Sequence, residues 1–261
     1  MKMLHPGKEL AMRNIMTIAN REYKHYFISP IAYIVALLIL LVLGIYFLLI
    51  LFQIASAAYY TGTTTPPDTS DILGLMPFLL LFAVPALTMR LLAEENRTGT
   101  LELLLTSPVN DWELIIGKWL GAFMFLLTIV LITLLFPIIL NFWLVEPGID
   151  QLLMLSNYAG LILVIAAFLS IGTAISALFK NQIAALFATM VTLFFMWYIV
   201  GWPAYVMPSG GEVFNYLSMS SHFFDGFLRG SVSISDIMYY LSWIVLGLFV
   251  GTAAIEMRRW Q

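Results

Sequence analysis

Pro85 to Phe123 reads PALTMRLLAEENRTGTLELLLTSPVNDWELIIGKWLGAF, and it stands between two long apolar runs. From Arg90 to Lys118 it carries five acids (Glu94, Glu95, Glu102, Asp111 and Glu113) and three bases (Arg90, Arg97 and Lys118). A segment so charged belongs in water or against a soluble partner, while the runs on either side belong in hydrocarbon. That alternation predicts an all-α, polytopic membrane protein.

Composition agrees. Hydrophobic residues make up 61% of the 261 and charged residues 10%, against about 25% charged in ordinary globular domains. Six blocks are apolar over about 20 residues, the length needed to cross a ~30 Å hydrocarbon layer as helix. They fall near residues 31–53, 72–92, 114–140, 158–179, 183–202 and 237–256. Ser29 before Pro30 reads as an N-cap and first helical residue, and Asp71, Asn157 and Asp236 stand where N-caps are expected. Asn110 with Glu113 reads as a capping box opening the third span. Pro77 and Pro85 predict a bend in the second. The chain has no cysteine, which excludes disulfides, thiolate metal sites and cysteine nucleophiles.

Eleven of the twelve basic residues fall on one side of this topology: Lys2, Lys8, Arg13, Arg21, Lys24, Arg90, Arg97, Lys118, Lys180, Arg258 and Arg259. Arg229 alone falls on the other. Basic residues stay on the cytoplasmic side, so both termini are expected there. Net charge of -3 says nothing of partners, since it averages a basic rim with an acidic one. Residues 1–30 form a separate N-terminal section, in which Met12, Ile15, Ala19, Tyr23 and Phe27 recur at helical spacing. This predicts an amphipathic helix at the inner leaflet rather than a solvated tail. Small residues at Ala166, Ser170 and Ala174, at Gly117 and Gly121, and at Gly247 and Gly251 mark close helix packing.

Within the polar segment, Thr100 to Ser107 is a leucine-bearing run stopped by Pro108. By its residues alone it is either a short transverse helix or a connecting loop at the lipid interface. The string EExRxGTLELLLTSPV from Glu94, followed by GKxLGA from Gly117, resembles the cytoplasmic coupling region of permeases of type-2 ABC exporters. REYKHYFISPIAYIV (21–35) and HFFDGFLRGSVSISDIMYYL (222–241) are similar to the corresponding stretches of the gliding-motility-associated branch. The resemblance runs from about Met12 to Arg259. It implies a transmembrane domain over residues 31–259, with a coupling helix at about 99–108 that docks in a groove of a separate ATPase. Glu94, Glu95, Arg97 and Glu102 would form its polar rim, Leu101 and Leu105 its apolar contacts, and Gly99, Thr100, Thr106, Ser107 and Pro108 the rest of the segment.

The same resemblance implies a prokaryotic cytoplasmic membrane protein, with two ABC ATPase subunits and a second permease, identical or homologous, as partners beside the membrane lipids. The chain has no G-x-x-x-x-G-K-[ST] loop, Lys118 being followed by Trp119. ATP and Mg therefore belong on the partner, and no cofactor or enzymatic activity is expected of this chain. An alternative is a non-transporting anchor that couples an ATPase to gliding or envelope machinery through an accessory subunit with an extracytoplasmic domain. A secondary carrier is a third reading, disfavoured because no span holds an acid well inside its apolar core. Nucleic acid is excluded for want of a basic surface, and HExxH zinc chemistry for want of the motif.

Residues 203–236 are too apolar for a solvated loop and predict a re-entrant or interfacial hairpin of short external helices before the last span, broken near Pro208, Gly210 and Gly211. His222, Asp225 and Arg229 would share one helical face there, as a structural polar network or, in the sharper reading, a proton relay or cargo ligand.

Overall fold

A backbone in hydrocarbon must satisfy its own N–H and C=O groups, which leaves helices as the local solution for long apolar blocks. The computed structural model of the protein describes residues 6–61, 68–98, 110–143, 148–207 and 210–259, and among these there are helices and turns but no strand. Six helical stretches are long and apolar enough to cross a membrane: Pro30–Tyr60, Thr69–Glu95, Asp111–Phe142, Gln151–Leu178, Gln182–Val206 and Ile234–Met257. All six expected spans are present, the first reaching further than its most apolar part.

The chain begins with α1 (Pro6–Tyr26) and, after a turn, α2 (Pro30–Thr61), which Pro30 opens. The second span comes in three pieces, α3 (Thr69–Leu73), α4 (Met76–Thr88) and α5 (Ala93–Thr98). The first break precedes Pro77, which sits in the opening turn of α4, while Pro85 lies inside that helix and cannot bond the Leu81 carbonyl. The third span is α6 (Asp111–Thr133) and α7 (Leu135–Trp143), interrupted where Pro137 would crowd the Thr133 carbonyl. Then follow α8 (Gln151–Leu178), α9 (Gln182–Phe194) with a π-helical turn at Phe195–Ile199, and the short α10 (Pro203–Val206), α11 (Gly211–Leu217) and α12 (Met219–Ser221). A second π turn at His222–Phe227 leads to the last span, α13 (Ile234–Arg259).

The fourth span is the hub. Its most apolar window is 78% buried, against 22–39% for the first, third, fifth and sixth, and its small residues explain why. A methyl placed on Gly247 of α13 would lie 2.7 Å from the Ser170 backbone, and one on Gly251 would touch Ala174 at 3.5 Å. On another side, a methyl on Gly172 would meet Thr88 of α4 at 2.6 Å. Close approach lets Ser170 Oγ donate to the Trp243 carbonyl at 3.2 Å and Trp119 Nε1 to the Ala166 carbonyl at 3.0 Å. The expected small-residue face of α8 therefore packs on helix, as small-xxx-small pairs do in membranes. The outward faces of α2, α9 and α13 expose large apolar side chains such as Leu37, Val191 and Phe249, a surface suited to lipid.

Three local expectations are corrected. Asn157 is not a cap: α8 starts six residues earlier, where the Asp150 carboxylate accepts from the N–H groups of Leu152 and Leu153. Asp236 is the third residue of α13 and reaches back to the Ser233 N–H at 3.0 Å, so the cap is Ser233. Asp71 lies in the first turn of α3, after Asp68.

Helix α1 does not face lipid alone. Its inner stripe packs along α6, where Gly117 and Gly121 leave the room: a Cβ on Gly117 would lie 2.8 Å from Ile18, and one on Gly121 2.5 Å from the Glu22 Cβ. Ala19 and Tyr26 are buried there, whereas Met12 and Phe27 of the expected interfacial stripe are exposed. The buried face is rotated slightly from the one expected because a second helix covers it.

Candidate coupling site at the basic end

Both ends of the polar segment are tied into the bundle. On the entering side, Ser176 of the hub helix accepts hydrogen bonds from the N–H groups of Leu92 (3.1 Å) and Ala93 (3.2 Å), donors that the start of α5 would otherwise leave open. On the leaving side, Asn110 donates from its backbone (3.4 Å) and its side chain (2.8 Å) to the Glu113 carboxylate, which also accepts from Asn14 of α1 at 3.0 Å. The capping box expected for the third span is thus extended to a third element.

Between these two ties sits Lys118, with 3% of its side chain exposed. Its ammonium lies 2.6 Å from Glu22 of α1 and 2.8 Å from Glu95 of α5, so one cation joins three helices. A buried ammonium is costly unless matched, and two carboxylates at this range match it. One turn earlier Arg90 grips Glu94 through two nitrogens, at 2.8 and 3.2 Å. Nearby, burial pushes the Tyr26 phenol well above its ordinary pKa, Glu22 adding to the effect, so the hydroxyl keeps its proton and points at the Leu87 carbonyl.

The sequence-expected residues fall into three groups. Glu94 and Glu95 are paired within the chain, with Arg90 and Lys118, and both stay partly exposed. Arg97 lies on α5. Gly99, Thr100, Leu101, Glu102, Leu105, Thr106, Ser107 and Pro108 lie outside the described residues. Glu22 and Asn14 escaped sequence reading altogether. Their signal was Gly117 and Gly121 flanking Lys118, a glycine-rich face that asks for a close neighbour.

At the opposite end the expected trio divides. His222 is buried and pairs with Asp236 (Nδ1 to Oδ1, 2.6 Å), its ring stacked 4.1 Å from Tyr239. Its Nε2 lies 2.7 Å from the Tyr216 carbonyl and, since a carbonyl only accepts, carries the hydrogen and donates it. Asp225 and Arg229 pair with each other at 3.2 Å on the surface, 55% and 74% exposed. Only the last part of 203–236 folds inward: Met219 of α12 and Phe223 and Phe227 of the π turn are buried and Trp197 packs on Phe168 and Phe223, whereas α10 and α11 bury no residue and leave Tyr205, Val213 and Leu217 exposed. Gly210 has φ of 84°, a left-handed conformation that glycine adopts without strain, at the expected break before α11.

Asn157, fully buried, ties this cap to two spans. Its amide oxygen accepts from Thr69 Oγ1 (2.9 Å) and the Ser70 N–H (3.1 Å), and its nitrogen donates to the Phe227 carbonyl (2.9 Å). The reverse orientation keeps bonds to the two hydroxyls but turns the amide oxygen toward carbonyls, which cannot donate. Among the described residues no cluster of three or more metal-ligating side chains occurs.

A bundle of six apolar helices around one small-residue hub, with a charged segment braced at one end, defines a multi-pass membrane protein. Residues 53–255 match the family described as ABC-2 family transporter protein, and the chain belongs to that family. It is accordingly the permease component of an ABC transporter, and the family implies an ABC ATPase as its partner. No curated protein sequence matches the chain. The family match starts within α2, so α1 and its Glu22 lie outside it.

Proposed function

We propose that the chain is the permease of an ATP-driven exporter in a prokaryotic cytoplasmic membrane, with both termini in the cytoplasm and residues 99–108 as the helix an ATPase grips. The observation that carries this reading is the brace of Glu22, Lys118 and Glu95, which locks the limbs on either side of that segment to α1. A lever needs stiff anchorage, since a rigid-body movement passes through packed helices better than through slack chain. The basic residues support the orientation. Arg13, Arg21, Lys24, Arg90, Lys118 and Lys180 gather at the braced end and Arg229 lies at the other, as basic residues do about the cytoplasmic face. A second permease completes the pathway, and nucleotide and Mg sit on the ATPase.

Because Glu94 and Glu95 are engaged within the chain, Glu102→Lys is the cleanest reversal. The expected result is a chain that still elutes as folded protein but loses the co-purifying ATPase by about tenfold or more, together with cargo movement. Unchanged retention and transport would count against the coupling role. The stretches 21–35 and 222–241, similar to the gliding-motility-associated branch, favour a second reading as an anchor. Reconstituted vesicles separate the two, an anchor giving ATP turnover without cargo flux.

A further inference from the structure

A cavity of about 950 Å³ lies at the braced end between α1, the turn before α2, the first turn of α2 and the foot of the second span. Its walls differ in chemistry. Arg21, Lys24 and His25 of α1 line one side; Ile31 and Ala32 of α2 and Ala86 and Leu87 of α4 line the other. The acids on the charged side already have cations, Glu94 with Arg90 and both Glu22 and Glu95 with Lys118. Four cations line the cavity (Arg21, Lys24, Arg90 and Lys118) against three acids (Glu22, Glu94 and Glu95), and the direct ion pairs among the described residues include neither Arg21 nor Lys24, so it presents a small net positive charge to whatever enters it. The first turn of a 32-residue helix adds its positive end.

The cavity also has a direction. Ile28 at its rim is 77% exposed, and Tyr33 and Ile34 just beyond it are exposed on α2. The apolar wall therefore runs out onto the lipid-facing side of the first span, at the level where the chain turns from α1 into a membrane crossing. A soluble anion would use only the cationic wall; an anionic amphiphile would use both.

We propose that this cavity binds an anionic membrane amphiphile, its phosphate against Arg21, Lys24 and His25 and its first methylenes along Ile31, Ala32 and Ala86. Basic pockets beside membrane helices hold lipid headgroups by this combination of charge and burial. The site requires that α1 lie at headgroup level and is independent of the direction of transport.

The test uses the full chain in detergent, titrated with phosphatidylglycerol, with phosphatidylcholine and with inorganic phosphate, and read by native mass spectrometry. Phosphatidylglycerol is expected to be retained about tenfold better than phosphatidylcholine, and Arg21→Gln with Lys24→Gln to erase that preference. Both side chains are exposed, so this variant keeps its fold. Ala86→Phe, which fills the apolar wall and leaves the charges alone, is expected to weaken phosphatidylglycerol with little effect on phosphate. Equal retention of the two lipids, or retention untouched by the double substitution, overturns the proposal. Phosphate competing as well as the lipid, with Ala86→Phe silent, overturns it too, in favour of a soluble anion. No nucleotide, ATPase or cargo enters the assay, so its failure is distinct from failure of the exporter reading.

Discussion

Replacing Lys118 by methionine is expected to destabilise the protein by about 3–5 kcal/mol, the range for removing one member of a buried ion pair. The methionine keeps the length of the side chain but takes the ammonium from between Glu22 and Glu95, whose carboxylates it holds at 2.6 and 2.8 Å. Thermal unfolding in detergent reads the loss. The cause is checked by adding Glu22→Gln and Glu95→Gln to Lys118→Met, which removes the stranded charge and should recover most of the lost stability. A variant as stable as the parent would show that the bridge is not buried in solution. A triple variant no better than the single one would show that the lost term is packing.

Asn157→Leu is expected to cost about 2–4 kcal/mol. Hydrogen bonds between membrane helices contribute about 0.6 kcal/mol on average and up to about 1.7, and leucine removes the bonds to Thr69, Ser70 and Phe227 at once. Leucine is also tetrahedral at Cγ where the amide is planar, and it carries two methyls into a site with no exposed surface. The effect should be local before it is global. The cap of short helices loses its tie to α3 and α8, so proteolysis within residues 203–236 should quicken at temperatures where the six spans still hold. A cleavage rate equal to that of the parent would contradict the role given to Asn157.

What was legible in the sequence was set by one-dimensional physics. The apolar length needed to cross hydrocarbon found all six spans, and small residues at four-residue spacing found the faces of α8 and α13 that meet. Asn110 and Glu113 were found because a capping box is local. Pairings across distance were not legible. The expected stripe of α1 and its buried face share Ala19 and part at Met12 and Phe27, since lipid and a neighbouring helix both reward apolar side chains and only the neighbour's glycines distinguish them. His222 was grouped with Asp225 and Arg229 by helical spacing, but a π turn changes that spacing and its acid is Asp236, on the next helix. Asn157 looked like a cap because capping residues and buried hydrogen-bonding residues are the same amino acids. The role proposed for residues 99–108 rests on resemblance alone, because all of its ten residues but Glu102 are small or apolar, in a pattern that several local structures accept.

The bridge at Lys118 also has an analytical use. Amine-acylating reagents require an accessible, deprotonated nitrogen. Lys24 and Lys180 are exposed and will take the label, while Lys118, shielded between two acids with 3% of its side chain exposed, will be passed over as long as α1 remains seated. Its modification in the intact protein therefore reports the lifting of one helix, and a peptide map made with and without nucleotide would show whether that helix stays down through the working cycle.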